Sequence, residues 1–275
     1  MAVTTVITLA LAAPAALGAR HCSKDSVCVE ARWIDDGTAA VEASNTSAFL
    51  LTVTVAVSSE IVPDGREVVM QSVPAGQTTT LSRYTYTGPR QDRPRLRFSF
   101  DWDFGAANVD HDDDYLYRLP YAAERRYRVL QGYGSRFSHT GREHYSVDFD
   151  MPRRTPVHAA RDGVVVDVVE KHGEGCWEDR CRRTANYIVV LHSDGSTGEY
   201  YHLVKDGALV NVGDRVARGQ HIALSGNSGH TTMPHLHFGV YEAISWGRTQ
   251  SINVAFDSAD GVIDKPRRGG RYAAR

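Results

Sequence analysis

The feature that most constrains the fold of this chain is a period of two. In Pro234-His235-Leu236-His237-Phe238-Gly239-Val240 and in Glu143-His144-Tyr145-Ser146-Val147-Asp148-Phe149-Asp150-Met151, polar and apolar residues alternate. On an extended backbone, successive side chains point to opposite faces, so such stretches read as half-buried strands. Other strand-like runs occupy residues 50–57, 67–70, 96–102, 163–169 and 186–192, with Pro63-Asp64-Gly65 and Pro74-Ala75-Gly76 as turns. No stretch carries a sustained helical period. The expected architecture is all-β: a small N-terminal β-sandwich over residues 20–109 and a C-terminal antiparallel sheet or barrel-like domain over residues 128–265. A polar connector at residues 110–127 joins them, and the basic, Gly-rich residues 266–275 are expected to be disordered.

Composition narrows the function classes. The chain has 275 residues, 31 basic against 33 acidic, and a net charge of -2, so no overall field draws it to nucleic acid or an anionic membrane. An apolar run at residues 3–17 followed by small residues up to Ala19 reads as an export signal, residues 1–19, although no Lys or Arg precedes it. After cleavage no membrane insertion is expected, which places the protein in the periplasm or outside the cell. Four cysteines in two close pairs, Cys22 with Cys28 and Cys176 with Cys181, suit local disulfides in an oxidising compartment. A four-thiolate zinc site is the weaker alternative, because its spacings would be nearer C-x-x-C. The acidic run Asp110-His111-Asp112-Asp113-Asp114 lacks the spaced ligands and glycine of a calcium loop and reads as a solvated loop.

The chemistry concentrates in three segments. Alternation places His144 and Asp148 on one strand face, His235 and His237 on another, and His202, in Glu199-Tyr200-Tyr201-His202-Leu203, opposite Tyr201 and Leu203. Any one of these histidines alone reads as an exposed sheet residue. Together, on neighbouring strands, two imidazoles and a carboxylate suit a catalytic zinc site with an open position, leaving two imidazoles for acid–base work.

In this order, His144-x-x-x-Asp148, Tyr200-x-His202-Leu203 and His235-Leu236-His237 resemble the three signatures of the lysostaphin/LytM-type peptidoglycan endopeptidases. The flanks resemble them too: Gln131-Gly132-Tyr133-Gly134, the stretch from Thr155 to Gly163, and the turn at Gly226-Asn227-Ser228-Gly229. The resemblance covers about the last half of the chain. It implies one zinc ion per chain held by His144, Asp148 and His237, with His202 and His235 as catalytic residues beside the water, and a monomer that cuts the peptide stems or cross-bridges of peptidoglycan. Zinc lowers the pKa of its water from 15.7 to about 7. His235 is the expected general base and His202 the residue that orients water and steadies the oxyanion, a division that sequence leaves open.

Two departures from the family pattern bear on the groove: a longer loop from Ser228 to Pro234, and Gly239 where an acidic residue often follows. The insertion holding Cys176 and Cys181 is expected to form one wall. His139, just upstream of His144, is a candidate to reach substrate. Two rival functions remain. A biotinyl or lipoyl carrier is suggested by residues 212–223 but lacks its lysine-bearing tip. A non-enzymatic wall-binding or hydrolase-activating relative would be marked by lost ligands, and all five functional positions are present. Which bond is cut, and whose wall, the sequence leaves open.

Overall fold

The computed structural model describes residues 19–23 and 26–275. The apolar run read as an export signal lies outside the described residues. Among them, no helix is long and apolar enough to cross a membrane.

The N-terminal region is a two-sheet sandwich. One antiparallel sheet runs in the order Ala19–Ser23, Val27–Trp33, Thr38–Asn45 and Thr78–Thr85; the other in the order Arg66–Val73, Leu51–Ser58 and Arg97–Phe104. The odd positions of Leu51–Ser58, from Leu51 to Val57, face the opposing sheet and are fully buried with Val27, Val29 and Val41. Its even face is also covered, because Thr54 Oγ1 accepts a hydrogen bond from the Trp246 backbone N–H of the C-terminal region at 3.1 Å. The sandwich therefore leans on its neighbour. The Ala106 N–H bonds Gly195 O at 2.8 Å, and Ala106 O accepts from the Ala243 N–H at 3.1 Å.

The C-terminal region centres on a nine-stranded sheet in which Thr197–Tyr201, Leu236–Ile244, Val147–Phe149, Arg126–Gln131 and Arg271–Ala273 are successive neighbours. A second sheet of Pro156–His158, His221–Ser225 and Leu203–Ala208 packs against it. Val147, Phe149, Tyr200, Leu236, Phe238 and Val240 supply the apolar face, which meets Leu203 and Ile222. Each large apolar side chain buried there contributes about 1.5–3 kcal/mol. The all-β expectation holds, with sheets that stay open and do not close into a barrel. Both disulfides pair locally, Cys22 with Cys28 and Cys176 with Cys181.

Three segments differ from the sequence reading. The strand expected over residues 143–151 is reduced to Val147–Phe149. Gly141–Glu143 is a turn of 3-10 helix and His144 has helical φ and ψ, because the N–H groups of His144 and Ser146 bond backward to Gly141 O and Glu143 O. The connector is not wholly polar: Leu116–Arg118 pairs in parallel with Ala255–Ser258, and Tyr117, Leu119 and Tyr121 are fully buried. The tail expected to be disordered instead forms the strand Arg271–Ala273 on the edge of Arg126–Gln131, burying Ala273 and Ala274. An exposed strand edge offers unpaired backbone donors and acceptors, and local composition does not reveal that demand. Gly132 makes the approach possible, since a Cβ there would lie 1.9 Å from Pro266 O.

Candidate active site

Strand register builds the floor of the site. Asp148 stands opposite Gln131 on one side and His237 on the other, and His237 is in turn opposite Tyr201, so one row of side chains crosses four adjacent strands. Along that row Gln131 Nε2 donates to Asp148 Oδ2 at 2.6 Å, and His237 Nδ1 lies 2.9 Å from Asp148 Oδ1. Tyr241, two positions beyond Gly239 on the same face, folds its ring back over that glycine, where a Cβ would sit 2.7 Å from the ring. Its hydroxyl thereby reaches His237 Nε2 at 3.1 Å, donates to Glu143 Oε2 at 2.7 Å and touches Ser146 Oγ at 2.9 Å. The missing acidic side chain at residue 239 thus makes room for a tyrosine that orients the histidine.

The remaining imidazoles arrive from loops. His139 is buried in the loop after Arg126–Gln131, with Nε2 3.1 Å from Asp148 Oδ1. His202 sits at the junction of Thr197–Tyr201 and Leu203–Ala208 with φ of +64°, a left-handed conformation rare for a non-glycine residue. Its Nδ1 donates to Ser228 O at 2.7 Å. His235 Nδ1 donates to Met233 O at 2.8 Å, and its Nε2 lies 3.7 Å from Asp148 Oδ1. In both residues the carbonyl fixes the tautomer and leaves Nε2 as a base. The two rings are 4.5 Å apart.

Electrostatics separates the groups. Burial works against the Asp148 charge, yet hydrogen bonds from His139 and His237 hold its carboxyl well below the usual range. Burial would lower His237, but Asp148 and Glu143 outweigh it and push the imidazole up to about 10. For His202, burial first and then the charges of His235 and His237 push the ring down to about 3, so it stays neutral near pH 7.

Of the residues that sequence selected, Asp148, His202, His235 and His237 converge. His144 is exposed, its ring 4.6 Å from that of Tyr145 and packed under Gly134. Among the described residues, the group whose ligating atoms lie within 4.8 Å of one another is His139, Asp148 and His237. Two imidazole nitrogens and one carboxylate oxygen are a donor set that suits zinc. His139 carried one signal, its position shortly before Asp148 in a chain rich in motif histidines; Glu143 and Tyr241 carried none. Asp148, His202, His235 and His237 line a cleft of 680 Å³ whose lining also includes Trp177 and Arg182 from the disulfide-bearing insertion, as expected for a wall. Among the described residues, none from the N-terminal sandwich lines it.

Comparison with known proteins places these residues in context. Residues 142–253 match peptidase family M23. The chain is 37% identical over 145 residues to the peptidoglycan DD-endopeptidase ShyA of Vibrio cholerae, which covers 50% of this chain and 30% of that protein. It is 37% identical over 136 residues to the glycyl-glycine endopeptidase ALE-1 of Staphylococcus capitis, covering 48% and 32%. It thus spans about a third of the length of these relatives. The antimicrobial peptidase lysostaphin from Staphylococcus simulans overlaps at a TM-score of 0.34 with 34% identity, over 46% of this chain and 47% of that one. Residues 142–253, the segment that carries Asp148, His202, His235 and His237, thus match peptidase family M23 and are similar to its lysostaphin/LytM-type members.

Proposed function

We propose that this chain is an exported zinc-dependent endopeptidase that hydrolyses peptide bonds of bacterial peptidoglycan, with one zinc ion per chain. The observation that carries the reading is the convergence on Asp148 of His139, His237 and His235, with His202 beside them, on the floor of an open cleft. The named activities of the ShyA and ALE-1 relatives agree with it. Two local disulfides agree with export, since such bonds persist in oxidising compartments.

A zinc ion, when bound, polarises the scissile carbonyl and acidifies water. The chain's own residues do the rest. Asp148 and His237 supply a carboxylate oxygen and an imidazole nitrogen, with Gln131 and Tyr241 fixing their orientation. Nε2 of His235, the proposed general base, takes a proton from the attacking water, and the unprotonated Nε2 of His202 accepts a hydrogen bond from that water and orients it, so the oxyanion role read for His202 from sequence would need a proton on that nitrogen. Neutral His202 and a carbonyl-fixed His235 tautomer leave both Nε2 atoms free to accept a hydrogen bond from water.

For the third ligand the geometry favours His139, while the His-x-x-x-Asp spacing favours His144. Zinc content of the His139→Ala and His144→Ala proteins decides: the ligand variant loses metal and the other retains it. The function itself is tested by release of soluble muropeptides from purified peptidoglycan by the zinc-loaded protein, against His237→Ala and a chelated sample. Release with new amino termini, absent from both controls, is the expected result. A folded, zinc-loaded protein silent on several wall types would move the chain to a non-enzymatic wall-binding or hydrolase-activating role.

A further inference from the structure

The lips of the cleft carry a charge pattern that the hydrolytic site does not use. Among the described residues lining it, the only acidic one is Asp148, at the floor, whereas three arginines stand at the rim. Arg128 belongs to the strand Arg126–Gln131, and Arg268 to the tail segment that runs alongside it, where the Gly269 N–H bonds Val129 O at 2.8 Å. Arg182 comes from a separate part of the lining, the disulfide-bearing insertion. Arg128 is 3.4 Å from Asp150 and Arg182 is 2.8 Å from Asp179, both at exposed sites where such pairs are weak and exchangeable. Arg268 is exposed and has no ion pair among the described residues.

The same insertion carries an apolar wall. Trp177 stacks on His230 at 4.0 Å and on Phe137 at 5.3 Å, three rings in one pile. The Cys176–Cys181 bond and the Cys176 N–H to Gly229 O bond hold the tryptophan's segment over the Ser228–Pro234 loop. Phe137 and Trp177 nevertheless remain 67% and 51% exposed. Large aromatic side chains left open at the mouth of a cleft are contact surface for a ligand. An aromatic wall flanked by guanidinium groups matches a peptide with an aliphatic side chain that ends in a carboxylate.

We propose that this groove selects peptides bearing free carboxylates, namely directly cross-linked stem peptides with a carboxylated diamino acid or a free C-terminal carboxylate, and disfavours an uncharged oligoglycine bridge. The assignment rests on the endopeptidase reading and names the substrate class of that same site. An oligoglycine bridge offers neither a carboxylate for the arginines nor a side chain for the ring pile. Arg268, supplied by the tail segment ahead of the strand Arg271–Ala273, is the specificity-determining residue that the groove adds to the catalytic set.

The test uses the full zinc-loaded chain and synthetic cross-linked peptides in four forms: both carboxylates free, the diamino acid amidated, the C-terminus amidated, and an oligoglycine-bridged analogue. The free form is expected to exceed the analogue that lacks the recognised carboxylate by about tenfold or more in kcat/KM, the size of one charge-assisted hydrogen bond. The two amidated forms identify which carboxylate is read. Arg268→Gln is expected to raise KM on every form that keeps the recognised carboxylate and on no other, with kcat held, and Arg268→Lys to restore much of the loss. Equal cleavage of free and amidated forms, preference for oligoglycine, or an Arg268→Gln defect equal on all substrates would overturn the assignment. Calorimetric binding of the same peptides separates this proposal from the reading beneath it. Carboxylate-selective binding without turnover removes the endopeptidase activity and keeps the groove; turnover without selectivity does the reverse.

Discussion

Asp148 and His237 meet in strict register across two strands, whereas His139, His202 and His235 reach the same point from loops and turns. The strand-borne pair is held by a ladder and by the core behind it. The loop-borne imidazoles are each held by one or two local bonds: Ser228 O for His202, Met233 O for His235, and Asp148 itself for His139. A site built in two parts divides its labour, with the floor and the His139 bonded to it fixing where charge is held, and His202 and His235 on the rim fixing where protons go. Loops on a rigid scaffold commonly carry such groups.

The largest effect expected is on the floor. Asp148→Ala removes the oxygen toward which three imidazoles point, so zinc is lost and muropeptide release falls by about four orders of magnitude. His202→Ala and His235→Ala should instead keep zinc and fold while lowering turnover by about 10²- to 10⁴-fold. Metal analysis alongside kinetics tests the division: if either rim variant emerges without zinc, the two-part description fails.

How much of this was legible depends on what held each residue. Alternation in Leu236-His237-Phe238 and Val147-Asp148-Phe149 is the direct imprint of a strand with one buried face, so the floor could be read from sequence. At residues 143–146 the alternation was present but misleading, because the backbone there satisfies itself in a turn and His144 swings to the surface. His139 was visible only as a loop histidine near a motif, and its approach to Asp148 depends on how the chain returns after Tyr133. The tail was illegible for a different reason: Arg and Gly content describes its freedom in isolation, while the open edge of Arg126–Gln131 decides its fate.

That edge offers a smaller prediction on the rim side. Gly132→Ala places a methyl where Pro266 O now lies, so the tail must shift off its partner strand. Overpacking of this kind costs about 1–3 kcal/mol. Hydrogen exchange at the Val129 N–H, which bonds Gly270 O, should accelerate while exchange within Leu236–Ile244 stays slow. Equal acceleration at both would mean that the tail supports the floor as well as the rim.

The smallest effect concerns two carboxyls on opposite sides of the division. Burial opposes the Glu143 charge, but His237 overcomes it and draws the carboxyl down to about 2. Glu199 lies on the strand Thr197–Tyr201, opposite Gly239, and forms no ion pair among the described residues. Burial, and next the charge of Asp103, push it up to about 8, while Tyr201 bonds its Oε2 at 3.0 Å. A folded-state value above the unfolded 4.5 means that the native protein keeps a proton that the unfolded chain has released. Its stabilising contribution is complete below about pH 4.5 and is lost as pH rises through about 8. Glu199→Gln keeps the shape and removes the titration. Urea midpoints of the metal-free proteins should therefore separate progressively between pH 5 and pH 8, the wild type losing stability relative to the variant. Parallel profiles would show that Glu199 is already ionised in the native sheet and that the strand floor tolerates an unpaired charge which the rim, at Glu143, meets with a histidine.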